Sequence, residues 1–175
     1  KYFYLSSYIP KKLITLLHNY SVIKKDVLAD IKPFYALNDS ITGENVNSKI
    51  NRLTNILISK KFDNLFISSP DNCAWLLNIR GFDQPYSPIP NCRIILNRLK
   101  KIYFFSDFNK SIKIRNNIKY NKIEFFNMSE FFKVILKIKG KSFCIDENSC
   151  SVYYKSLISS KFKIVDKKDP CEYLK

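Results

Sequence analysis

The chain is short of the residues that most enzymatic sequences rely on. Among 175 residues there are three Gly, three Ala, one His and one Trp, and the five Cys form no C-x-x-C pair. Three glycines leave little scope for a phosphate-cradling loop, and neither a P-loop, a G-x-G-x-x-G nor a G-x-S-x-G occurs. Cys73, Cys92, Cys144, Cys150 and Cys171 have neither zinc-knuckle spacing nor the even count of a disulfide framework, so they read as reduced thiols of a cytosolic protein. The lone His18 reads as a surface or packing residue, because a metal centre needs several convergent ligands. The 15 carboxylates are dispersed; Asp146 with Glu147 and Asp166 with Asp169 come nearest to clusters, both at expected strand ends or turns. No apolar run approaches the roughly 20 residues that cross a bilayer, and residues 1–10 lack the apolar core of a signal peptide. The expected location is therefore cytoplasmic, with no membrane partner. There is no initiating Met, so Lys1 reads as an internal position.

What is abundant is apolar mass and positive charge. Hydrophobic residues make up 46% and aromatics 15%, enough to bury a core, so intrinsic disorder is excluded. The net charge of +15 would suit nucleic acid or an anionic surface. However, the excess is Lys rather than Arg, 25 against 5, and is spread along the whole length beside 17 Asn. That is the pattern of an AT-rich coding sequence, and Arg is the better reader of phosphate forks and base edges. A basic nucleic-acid-binding domain is accordingly the last of three readings.

Along the chain, Leu13, Leu16 and Leu17 share one face of an expected helix over 10–20. A turn-rich stretch over 30–43 reads as a linker. Residues 1–42 are then the tail of a preceding domain plus linker, 43–168 one domain, and 169–175 the start of a connection onward. Val46, Ile50, Leu53 and Leu57 predict a helix over 44–61. A buried strand over 64–68 and a helix over 70–79 follow, with Pro70 at its start and Gly81 just beyond its end. Residues 93–96 and 101–106 read as a hairpin. Beyond it, helix, strand, helix, strand, helix and strand alternate over 107–116, 122–126, 129–138, 142–145, 149–159 and 162–165. The expected class is α/β, a mixed or mostly parallel sheet flanked by helices.

Residues 71–90 stand out physically. They hold the single Trp, one of five Arg, one of three Gly and three of seven Pro in a chain otherwise poor in such residues. The helix would bury Ala74 and Trp75 and stop, with Gly81 free to turn left-handed. Arg80 and Asp83 could pair with each other or cap exposed backbone groups. The reading favoured on these grounds is a structural turn, ahead of direct substrate contact.

The run Ala74-Trp75-Leu76-Leu77-Asn78-Ile79-Arg80-Gly81, continued by Asp83, Pro85, Tyr86, Pro88 and Pro90, resembles the second domain of the long, three-domain Xaa-Pro aminopeptidases, a creatinase/prolidase N-terminal-like fold. Phe105, Asp107 and Lys110 resemble that family's next element, and Asp169, Pro170, Leu174 and Lys175 its lead-in to the catalytic domain. Upstream, residues 26–33 depart from the family, with Ala29, Ile31 and Lys32 where Trp, Asp and Arg are common. The resemblance implies a parent metallopeptidase that removes an N-terminal residue preceding proline, using two divalent metal ions, usually manganese. It implies that no metal ligand, cofactor or catalytic residue falls in this chain, which would be a non-catalytic accessory domain. Its partners would be a C-terminal catalytic domain, the peptide substrate of the parent, and a homo-oligomer formed through the parent. Trp75, Asn78, Arg80, Asp83 and Tyr86 are the expected cleft-facing or interdomain residues. A standalone protein- or peptide-binding module of the same fold is the second reading.

Overall fold

A computed structural model describes residues 32–118 and 120–175. The helix expected over 10–20, with His18, lies outside them, as does most of the expected preceding domain. Residues Lys32–Lys175 form one unit.

The first long helix, α2 (Val46–Ser59), follows a four-residue helix α1 (Asp39–Thr42). It starts where the Asn45 side chain accepts a hydrogen bond from Ser48 N at 2.9 Å, which satisfies a donor that the first helical turn leaves free. Its stripe of Ile50, Leu53 and Leu57 is fully buried, as the spacing predicts. Truncating any one of them to Ala would cost about 2–5 kcal/mol through lost burial and the cavity left behind.

Six strands form the main sheet: β2 (Asn64–Ile67), β4 (Arg93–Asn97), β5 (Ile102–Ser106), β6 (Ile123–Asn127), β7 (Ser142–Ile145) and β8 (Lys163–Asp166), in the order β6-β5-β4-β2-β7-β8. The expected hairpin is β4–β5, pairing Arg93 with Phe105. β4 also runs antiparallel to β2, whereas β2–β7, β7–β8 and β5–β6 are parallel. The sheet is thus mixed, with one reversed strand near its centre. Two of the three parallel pairs are joined through a single helix, β5–β6 by α4 (Phe108–Arg115) and β7–β8 by α6 (Val152–Ser159).

Side chains alternate between the two faces, as a strand's period of two requires. Leu65, Ile67, Ile94, Leu96, Ile102 and Phe104 pack on one side against α2, α3 (Pro70–Leu77), α4 and α7 (Cys171–Leu174). Phe66, Ile95, Phe105, Phe143 and Ile145 pack on the other against α5 (Phe131–Lys137) and α6, where Phe131 touches both Phe105 and Tyr154 at centroid distances of 4.8 and 4.7 Å. Among the described residues no helix is long and apolar enough to cross a membrane.

Two stretches expected outside the domain core contribute to it. Phe34, in the expected linker, is buried, and its amide donates to Lys110 O at 2.9 Å. Strand β1 (Tyr35–Ala36) then pairs antiparallel with β3 (Ile79–Arg80). At the other end, Asp169 and Cys171 are buried, and Arg52 Nη2 donates to Leu174 O at 2.6 Å. A two-residue strand and a four-residue helix carry too few residues to show a periodicity.

Candidate functional site

Helix α3 buries Cys73, Ala74, Leu76 and Leu77 and leaves Trp75 half-buried. It ends earlier than the sequence suggests. Asn78 takes the left-handed conformation, φ 54° and ψ 40°, so Ile79 leaves the helix and enters β3. Asn tolerates this region because its short amide can bond locally. Gly81 is not the left-handed residue; it is needed for close approach. A Cβ there would lie 2.9 Å from both Phe34 Cδ1 and Pro90 Cα, so a side chain would force the backbone apart.

The loop after Gly81 is tightly held. Gly81 N donates to Pro88 O at 3.1 Å, and Gln84 and Ser87 form a bridge. The Asp83 carboxylate accepts from Asn91 N at 2.6 Å and pairs with Lys110 on α4. Of the two arrangements the sequence allows, the two side chains take the second, bonding backbone groups rather than each other: Asp83 holds the Asn91 amide and also reaches across to Lys110, while Arg80 Nη1 donates to Ile79 O at 2.8 Å. Arg80 is half-buried and pairs with no carboxylate among the described residues. Tyr86, at φ 62°, projects fully into solvent at the tip. Phe82 is exposed beside Tyr35, ring centroids 5.5 Å apart, with Lys32 Nζ 5.6 Å over its face. The result is a stiff lip that presents a guanidinium and three aromatic rings, Tyr35, Phe82 and Tyr86.

Of the expected site residues, Arg80, Asp83 and Tyr86 lie on this lip. Trp75 and Asn78 lie at its root, where Asn78 is only 3% exposed. The sequence reading missed Lys49. It falls within the apolar stripe of α2, between Val46 and Leu53, and that position was the available signal of burial. Its ammonium donates to Trp75 O at 2.8 Å and Asn78 Oδ1 at 2.6 Å, and lies 4.7 Å from the Trp75 ring centroid. Burial pulls its pKa below the ordinary lysine value, partly offset by Glu44.

A crevice of about 290 Å³ lies beyond the carboxyl ends of β2 and β7, lined by Asn72, Asp146, Lys168, Asp169 and Glu172 among others. Its carboxylates serve the loops themselves. Asp146 Oδ2 accepts from Asp169 N at 3.0 Å, and Asp169 accepts from Asn72 Nδ2 and Cys171 N at 2.7 and 2.9 Å. Burial pushes the Asp169 carboxyl above its ordinary range. Among the described residues no three His, Cys, Asp or Glu side chains converge as metal ligands would.

A family model for the creatinase/prolidase N-terminal domain matches residues 28–175. A probable Xaa-Pro aminopeptidase P of Fusarium vanettenii is 30% identical over 86 residues, which are 49% of this chain and 14% of that protein. Xaa-Pro aminopeptidase 1 of Dictyostelium discoideum is 25% identical over 122 residues, 69% of this chain and 19% of that one. The chain thus aligns with less than a fifth of the length of either relative. Among solved structures, an X-prolyl aminopeptidase of Caenorhabditis elegans, described as a cytosolic enzyme with a di-nuclear active site, superposes with a TM-score of 0.67 at 23% identity, over 82% of this chain and 26% of that one. An aminopeptidase P structure from Streptococcus thermophilus gives 0.58 at 14% identity, over 74% of this chain and 97% of that one. These two likenesses are likenesses of fold.

Proposed function

Because the chain belongs to the creatinase/prolidase N-terminal domain family, we propose that it is the non-catalytic accessory domain of a cytoplasmic, metal-dependent Xaa-Pro aminopeptidase. In this reading it walls the cleft in which a separate catalytic domain removes the residue preceding proline. The observation that carries it is the lip from Arg80 to Tyr86. A backbone held by Gly81, Asp83 and Lys110 presents solvent-facing aromatic rings and a guanidinium that meets no carboxylate among the described residues, which are groups suited to contact another surface.

Among the described residues no group supplies the three or more convergent ligands that the paired divalent ions of such enzymes need. The metal chemistry is assigned to the catalytic domain, and the chain's own part is to shape and occlude. Two measurements test this. The purified chain, given manganese and an Xaa-Pro peptide, should release no N-terminal residue; site-specific, metal-dependent turnover would refute the reading. The reading frame beyond Lys175 should continue into a segment with spaced Asp, Asp, His, Glu and Glu, and a stop codon there would leave a standalone binding module.

A further inference from the structure

Lys49 is a buried cation with an unusual set of neighbours. It is 1% exposed and makes no ion pair with a carboxylate among the described residues; its partners are a backbone carbonyl, a side-chain amide and an indole face. Burying a charge is costly unless its hydrogen bonds are met, so a lysine kept in this place implies that the bonds do something a Leu or Met could not. Each acceptor belongs to the end of α3. The Trp75 carbonyl is among the last of that helix, where the backbone dipoles leave partial negative charge and no basic residue of α3 itself lies in the last turn. The Asn78 amide is then used completely. Its Oδ1 faces Lys49, while Nδ2 donates to Glu44 O at 2.9 Å and Asp39 Oδ1 at 3.4 Å. The Asn78 carbonyl accepts from Leu37 N at 2.8 Å, which starts the β1–β3 pairing.

The geometry points to Lys49 as the positioning residue of the lip. By binding the Trp75 carbonyl and the Asn78 side chain together, it holds Asn78 left-handed, ends α3 at Leu77 and aims Ile79–Arg80 at β1. The inference concerns how the lip is held, and stands whatever the lip faces.

Amide hydrogen exchange on the whole chain tests it, with Lys49→Met, Asn78→Gly and the double variant. Lys49→Met keeps the apolar stem and removes the donors. It should speed exchange at Leu37 and Gly81 by about tenfold relative to the amides of β2 and β4, the scale of one lost net hydrogen bond. Glycine adopts the left-handed region without a tether, so in the Asn78→Gly background the same substitution should leave the lip amides as protected as the sheet. A residue that only packs the core would loosen β2, β4 and the lip together and would gain nothing from glycine at 78. Uniform loosening, an unchanged lip, or a double variant with a lip as exposed as in Lys49→Met would each overturn the assignment. If Lys49→Met alone does not fold, the double variant decides: a folded chain with a protected lip upholds the role, and an unfolded one overturns it.

Discussion

Asp83 and Lys110, 27 residues apart in the chain, form an ion pair that joins the lip to helix α4. The Asp83 side chain is 10% exposed, so solvent does little to replace its partner. Removing the lysine leaves a largely buried carboxylate with Asn91 N as its one remaining donor among the described residues. Lys110→Met should therefore lower stability by about 1–2 kcal/mol, read from the urea midpoint, with the β2 and β4 amides still the best protected.

Gly81 is closely packed on two sides. An alanine there must displace Phe34 and the Pro90 backbone, and the latter cannot swing away as a flexible side chain would. Gly81→Ala should cost about 1–3 kcal/mol by thermal melting. At Gly43 nothing lies within 4 Å, and only its φ of 75° opposes a side chain. Gly43→Ala should cost about 1 kcal/mol and leave lip exchange unchanged.

Two carboxylates should shape the pH dependence in opposite senses. The amides of Lys141 and Ser142 and the nearby Arg98 hold Asp63 below its ordinary 3.8, against the pull of burial. The folded state then releases that proton more readily than the unfolded one, so the stabilisation is full above about pH 3.8 and fades as pH falls through the lower folded value. Asp63→Asn should cost about 1–2 kcal/mol at pH 7 and progressively less in acid. Asp169 is raised by burial, so the folded chain holds its proton more tightly. Its contribution is greatest below 3.8 and is lost as pH rises through the raised value. Wild type should therefore lose ground to Asp169→Asn across that window in urea titrations run at stepped pH.

Thiol reactivity should single out Cys150. It is half-buried, whereas the other four cysteines are buried. Burial pushes Cys150 up to about 11 and Cys144 to about 12, so little thiolate exists at pH 8. An aromatic disulfide reagent should modify one thiol per native chain, more slowly than a free cysteine, and five in denaturant. Cys150→Ser should abolish the native reaction.

The sequence alone determined the alternation of helix and strand, because residues such as Ile50, Leu53 and Leu57, or Leu65, Phe66 and Ile67, carry their periodicity and burial locally. It also located the segment that becomes the lip, through a concentration of Trp, Arg, Gly and Pro that this composition makes conspicuous. Tertiary structure decided which groups meet there. Asp83 finds Lys110 rather than Arg80, the left-handed turn falls on Asn78 rather than Gly81, and Phe34 and Tyr35 join from a stretch that reads as linker. Each outcome depends on elements distant in sequence packing at one place. A salt bridge, a wedge against glycine and a two-residue strand leave no periodic trace, and a buried lysine such as Lys49 discloses its purpose only through the partners that the fold brings to it.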